Sequence, residues 1–304
     1  PPRSTLFPYT TLFRSGVIKD LKSNQLAGSL AIYFFGAFLI KGISIFSTPI
    51  FSRILTTYDY GIISIYQTWV NIFAIFIGLQ LSGSIATARV HLPIERFASY
   101  LRSILALSVL SFIVISLISI IFTKPLADLL QLKSCLIPFI LLQAFGTYCS
   151  VFYLSYTIQT KQPKKHLWFT VSKTIAIITV SIVLVLSFKE DKYMGRIIGF
   201  TVTNIVVIGF VYRKLYFSYK TKIAKKDWKF ALPLSLPLIS HLISNLVIGQ
   251  SDRLIINKYI GFEAAGIYSV AYTIGSLGLM IAEATNNVWS PWYLDNTKLK
   301  QNNE

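Results

Sequence analysis

Acidic side chains are scarce in this sequence: 12 Asp and Glu stand against 29 Lys and Arg, and charges of both signs make up only 13% of the chain. A soluble domain carries about 25%. With 54% of its residues hydrophobic, the chain has too little charge to coat the core that so much apolar surface would form, which excludes a water-soluble fold. Cysteine is almost absent as well. If Cys135 and Cys149 sit on one helix, fourteen residues hold them roughly 21 Å apart. A disulfide needs about 7 Å or less, so both read as small apolar fillers. His91, His166 and His241, the three histidines, lie in different segments without the spacing of metal ligands. No catalytic Ser, His or Cys constellation, carboxylate cluster or phosphate-cradling loop occurs, so the chain is not expected to be an enzyme and no cofactor is implied.

What the sequence has in abundance is long apolar runs, with a mean hydropathy of +0.60. A helix needs about 20 mostly apolar residues to cross a bilayer. Eight segments meet that length, at 26–50, 62–81, 101–122, 136–158, 167–188, 196–217, 231–250 and 265–289. The seventh is interrupted by Pro233, Pro237, His241 and Asn245, a pattern that in transporters marks helices lining a cavity.

The net charge of +17 sits mainly between the apolar runs, and no folded basic module is present, so nucleic acid is not an expected partner. If the first span starts inside, seventeen loop Lys and Arg lie on the inner side and eight on the outer, Arg53, Arg196 and Arg253 among the latter. The positive-inside rule then places the N-terminus in the cytoplasm. The densest basic stretch, from Arg213 to Lys229, becomes an inner loop that orients the chain and touches anionic membrane lipids.

A short pattern recurs. Gly61-Ile62-Ile63-Ser64-Ile65-Tyr66-Gln67-Thr68 and Gly266-Ile267-Tyr268-Ser269-Val270-Ala271-Tyr272-Thr273 share G-I-x-S-[IV]-x-x-T, each after an arginine, Arg53 or Arg253. The interval from Arg to Gly is longer in the second copy, which predicts a longer loop there. Both copies join an odd span to an even one, so they share an orientation, as in a parallel repeat about an axis along the membrane normal. The expected architecture is an all-α integral membrane protein of about eight transmembrane helices. A six-helix lobe covers 16–228, and 229–304 begins a second lobe that stays incomplete, a C-terminally truncated form of a two-lobe transporter of six or more helices per lobe. Residues 1–15 resemble a translated sequencing adaptor and are set aside from fold reasoning.

The run from Gln250 to Gly261, followed by Ala265-Gly266-Ile267-Tyr268-Ser269-Val270-Ala271-Tyr272, resembles the polysaccharide-biosynthesis flippases, which include the O-antigen (Wzx-type) transporters. Pro49-Ile50-Phe51-Ser52-Arg53-Ile54-Leu55 with Tyr60-Gly61, and Asn286-Asn287-Val288-Trp289-Ser290-Pro291-Trp292, are similar to the same family. The likeness covers roughly 25–294 and reaches the wider multidrug/oligosaccharidyl-lipid/polysaccharide exporter superfamily. It implies twelve to fourteen spans in two lobes around a central cavity. It also implies a place in the bacterial inner membrane, polyprenyl-pyrophosphate-linked sugars as substrate, and glycan polymerase machinery as a partner.

Charges inside spans are the candidate substrate contacts, because each costs about 2.5–3.5 kcal/mol at the bilayer centre unless it meets a partner or a wet cavity. Lys41 is the most central. Lys173 lies nearer a span end, from which a lysine can snorkel to the surface. Glu283 and Asn286 share a face of the eighth span, and Glu283 serves as an ion-pair partner or as a site for H+ or Na+ coupling. Asp252 and Arg253, with Arg53 as repeat mate, read as helix-end charges or as a gate touching the headgroup. A cation-coupled multidrug exporter would want acidic groups in its cavity, yet Glu283 is the one acid well inside a span. A membrane glycan polymerase or glycosyltransferase would want a large outer loop or a carboxylate cluster, and the sequence has neither.

Overall fold

The computed structural model describes residues 24–218, 222–275, 285–286, 289–290 and 292–293. The adaptor-like residues 1–15 and Glu283 lie outside the described residues, as does the side chain of Lys41.

Every long element is a helix. In chain order they are α1 (Asn24–Ile54), α2 (Thr57–Gly78), the short α3 (Ser84–His91), α4 (Ile94–Ile121), the short α5 (Thr123–Leu130), α6 (Ile137–Gln159), α7 (Pro163–Ser187), α8 (Lys192–Val211), α9 (Lys225–Tyr259) and α10 (Phe262–Gly275). Six helical segments among the described residues are long and apolar enough to cross a membrane: Thr57–Gly78, Glu95–Ile121, Ser134–Gln159, Pro163–Ser187, Lys192–Phe217 and Lys225–Tyr259. They coincide with the second to seventh expected spans. The first expected span falls on α1, and the eighth starts on α10 and continues largely outside the described residues. The chain is an all-α, multi-pass membrane protein.

Burial sorts these helices by position. α2 and α6 form the centre, where Ile65, Tyr66, Val70, Ile77, Cys149, Phe152 and Tyr153 have at most a few per cent of their surface free. α4 turns Leu117, Ile118 and Ile121 outward, more than half exposed. In a membrane such a face meets acyl chains and carries no burial cost. α2 begins with a reciprocal cap: the Asp59 amide donates to Thr56 Oγ1 at 3.1 Å and the Thr56 amide donates to Asp59 Oδ2 at 3.0 Å, which satisfies two amides that open a helix. α7 and α8 pack backbone to backbone, because Gly195 and Gly199 bring α8 against the main chain of Val185 and Ser181. Small residues four apart allow this approach between membrane helices. Cys135 and Cys149 are both free; Cys149 is buried as a small core filler, whereas Cys135 is exposed and fills no core space.

Two expectations change. Pro233 and Pro237 do not break the seventh span; α9 runs unbroken for 35 residues through both. An isolated proline removes one amide from the ladder, and bundle contacts and local adjustment absorb that loss in membrane helices. The second copy of the repeat also has no longer loop. Residues 55–56 join α1 to α2, and residues 260–261 join α9 to α10. The interval from Arg253 is long because Arg253 lies inside α9, more than a turn before its end at Tyr259.

The start expected for a second lobe, residue 229, falls in the opening turns of α9, and these are tied to α4. Arg96 donates to buried Asp227 at 3.1 Å, and Trp228 Nε1 donates to the Ser103 carbonyl at 2.7 Å. Arg96→Ala leaves the Asp227 carboxylate buried without its counter-charge. Loss of one partner of a fully buried pair costs about 3–5 kcal/mol; Arg96 is half exposed, so about 2 kcal/mol is expected. Adding Asp227→Asn should recover part of it. Thermal unfolding of the two variants in detergent measures the difference, and equal melting points would remove the pair from the account of stability.

Candidate functional site

α2 and α10 meet at the repeated residues. A Cβ built on Gly61 would lie 1.9 Å from the Phe262 carbonyl oxygen, and one on Gly266 would lie 2.2 Å from the Thr57 carbonyl oxygen. One turn deeper, Ser64 and Ser269 hydrogen-bond to each other at 2.6 Å. Residues 57 and 262, 61 and 266, and 64 and 269 share one offset of 205. Each residue therefore touches its own equivalent or its equivalent's neighbour, reciprocally, as at a two-fold contact. Because equivalent residues meet at successive levels, the two helices run parallel. In this register the mate of Arg53 is Lys258, and Thr48 is the mate of Arg253.

Beside this contact lies a cavity of about 420 Å³, walled by α1, α2, α7, α8, α9 and α10. The lining runs from the end where α1 joins α2 and α9 joins α10, at Phe51, Tyr60, Arg196 and Arg253, to the middle of the helices at Ile40, Asn71 and Thr174. Its polar lining includes Gln67, whose Nε2 donates to Asn71 Oδ1 at 3.2 Å, and Asn71, whose Nδ2 donates to Gln250 Oε1 at 3.4 Å.

Two arginines give the cavity its charge, Arg196 from α8 and Arg253 from α9. The Arg196 guanidinium lies 4.2 Å from the centre of the Phe51 ring, with Tyr60 at 5.5 Å and Phe200 at 5.9 Å. Its Nε and Nη1 are buried without a hydrogen-bond partner. Arg253 stacks 4.5 Å from the Tyr272 ring, its Nη1 reaches the Gly249 carbonyl at 3.5 Å, and its Nε is buried and unbonded. No carboxylate lines the cavity among the described residues. Aromatic rings flank both guanidiniums and cannot accept from their in-plane N–H groups, so hydrogen-bonding capacity is left unpaired that an oxyanion would satisfy.

The other candidates from the sequence sit elsewhere. Asp252 is exposed, does not line the cavity, and accepts a hydrogen bond from Tyr268 OH at 2.6 Å. Arg53 is exposed in the last turn of α1 and does not line the cavity. Lys173 donates to Ser150 Oγ at 2.6 Å and lines a different groove, on α7's opposite face. Asn286 is exposed, and Glu283 lies outside the described residues. Lys41 belongs to α1, one residue after the cavity-lining Ile40, and its side chain lies outside the described ones.

Arg196 escaped sequence reasoning because the apolar segment opens there, which makes it look like a loop charge. The helix in fact begins at Lys192. The signal was the pair Gly195 and Gly199, whose spacing asks for helix packing on both sides of Arg196.

The chain is 25% identical over 287 residues to Lsg locus putative protein 1 of Haemophilus influenzae, covering 89% of this chain and 66% of that protein. It is 23% identical over 248 residues to succinoglycan biosynthesis transport protein ExoT of Rhizobium meliloti, covering 78% of this chain and 47% of that protein. It therefore spans between about half and two thirds of the length of these relatives. A solved structure named only as protein A superposes with a TM-score of 0.62 over 91% of this chain and 66% of its own at 12% identity, a likeness of fold. Residues 26–296 match the polysaccharide biosynthesis protein family over most of the chain, and the chain belongs to that family.

Proposed function

We propose that the protein is the flippase for lipid-linked oligosaccharides in the bacterial inner membrane. In this reading the central cavity takes the pyrophosphate of a polyprenyl-linked sugar from the cytoplasmic leaflet and releases it on the other side. The observation that carries this reading is the pair of arginines beside aromatic rings, with unpaired N–H groups, in a cavity that no carboxylate lines among the described residues. The excess of basic residues in the loops assigned to the inner side supports a cytoplasmic N-terminus, and in that orientation the two arginines stand toward the outer end of the cavity. The amide ladder of Gln67, Asn71 and Gln250 offers donors and acceptors to sugar hydroxyls. A cavity for cationic drugs would need acidic lining. The chain's part is binding and passage rather than chemistry, and Lys41 and Glu283 stay proposed contributors to headgroup binding and to H+ or Na+ coupling.

The test is complementation. The full-length protein, expressed in a bacterium deprived of its flippase for the matching glycan, should restore surface glycan, and Arg253→Ala should lower the yield several-fold at unchanged membrane abundance. Raised drug resistance without restored glycan would overturn the reading in favour of a drug exporter.

A further inference from the structure

A second concavity, of about 470 Å³, opens between α6, α7 and α8 at the end of the bundle remote from the central cavity. We infer that it is a binding groove for an anionic phospholipid of the bilayer, with Lys164, Lys165 and Lys214 holding the phosphate and Trp168, Phe169 and Phe210 flanking the acyl chains. Which substrate the central cavity carries does not enter the argument.

Four lysines line the groove, the fourth being Lys173, and no Asp or Glu does. Lys164 and Lys165 stand in the first turn of α7, and Lys214 follows the end of α8 in the wide turn Tyr212–Phe217, so all three lie where these helices leave the membrane. Lys214 donates to Tyr153 OH at 2.9 Å and lies 5.2 Å from the Tyr153 and Phe210 ring centres. An ammonium has three donors, so Lys214 keeps others for a phosphate. Below the rim the wall is aromatic and aliphatic, and Lys173 is drawn aside to Ser150.

The groove faces lipid. Trp168 is 71% and Val206 66% exposed, and an indole at this height suits the membrane interface. At about 100° per residue, Trp168, Ser172 and Ala176 lie on the face of α7 opposite to Thr174, Ile177 and Ser181, which line the central cavity. An occupant therefore comes from the surrounding bilayer. Charge complementarity selects an acidic headgroup over a zwitterionic one, since basic pockets between helices near the cytoplasmic surface bind acidic headgroups.

The full chain in nanodiscs, with brominated phosphatidylglycerol or brominated phosphatidylcholine at equal mole fraction, tests this. The signal is the tryptophan quenching that Trp168→Phe removes. Brominated phosphatidylglycerol is expected to occupy the site at least about tenfold more readily. The triple variant Lys164→Gln, Lys165→Gln, Lys214→Gln should lose that preference, and the corresponding arginine variant should keep it. Equal quenching by the two lipids in the unmodified chain overturns the inference, and that comparison decides alone if the glutamine variant does not fold. A preference that survives the three glutamines overturns it too. Displacement of the brominated lipid by equimolar polyprenyl diphosphate would assign the groove to the transported lipid and overturn it as well.

Discussion

Arg196→Ala in the full-length protein is expected to cut surface glycan at least about tenfold while leaving its membrane abundance unchanged. A hydrogen bond between charged partners contributes about 1.5–3 kcal/mol, and two such bonds to one phosphate exceed a factor of ten in affinity. The environment sharpens the case. A guanidinium inside the membrane costs about 2.5–3.5 kcal/mol on insertion scales, and stacking on Phe51 near Tyr60 offsets part of that while leaving Nε and Nη1 without a partner. The remaining cost is what an oxyanion relieves. Arg196→Lys should keep part of the export, because it retains a point charge but not the planar edge. Arg196→Gln, which is neutral, should behave like alanine. The measurement is surface glycan normalised to protein in the membrane. Full export by Arg196→Ala would end the assignment, and a fall in abundance would make Arg196 a packing residue of α8.

Gly61→Val should all but remove the assembled protein. Even a methyl group at Gly61 would come to 1.9 Å from the Phe262 carbonyl oxygen, and at Gly266 to 2.2 Å from that of Thr57. Backbone atoms cannot rotate away, so α2 and α10 must separate by more than an ångström. Overpacking of this kind costs about 1–3 kcal/mol or more, and 1–2 kcal/mol already changes abundance several-fold. Ser64→Cys with Ser269→Cys provides the readout. The native hydroxyls are 2.6 Å apart, so the cysteines should cross-link readily under mild oxidant in the otherwise unmodified chain. Adding Gly61→Val should abolish the cross-link and lower yield at least about fivefold. Undiminished cross-linking in the valine variant would show that the close approach is not required.

Helix positions were legible because hydrophobic length is a direct consequence of bilayer thickness. Charge asymmetry proposes an orientation on separate grounds, the bias of Lys and Arg toward cytoplasmic loops. The repeat was visible as a pattern, yet its alignment was not. Arginine looked like the natural anchor, whereas the helix ends pair Arg53 with Lys258, and Arg253 with Thr48. One-dimensional matching favours identical residues, and packing favours equal distances from a helix end. Gln67, Asn71 and Gln250 were missed because single amides inside apolar windows leave the mean hydropathy high, and only the fold shows that they bond to one another. Arg196 was missed at a boundary, where one turn of helix decides between loop and cavity. Lys173 could be read only as a span charge that either contacts substrate or snorkels; its hydrogen bond to Ser150 joins residues 23 apart on neighbouring helices and needed the fold to be seen.

The reciprocal contact of Gly61 with Phe262 and of Gly266 with Thr57 bears on ancestry. Equivalent residues that touch across an axis are what two identical subunits present to each other. A single unit able to pair with its own copy, later joined head to tail by gene duplication, would leave this trace between α2 and α10. After fusion the two copies are free to diverge, and a threonine in one can stand where the other carries an arginine, as Thr48 and Arg253 now do at the cavity wall. The surviving symmetry at the glycines and serines then marks the part of the interface where neither copy could change without the other.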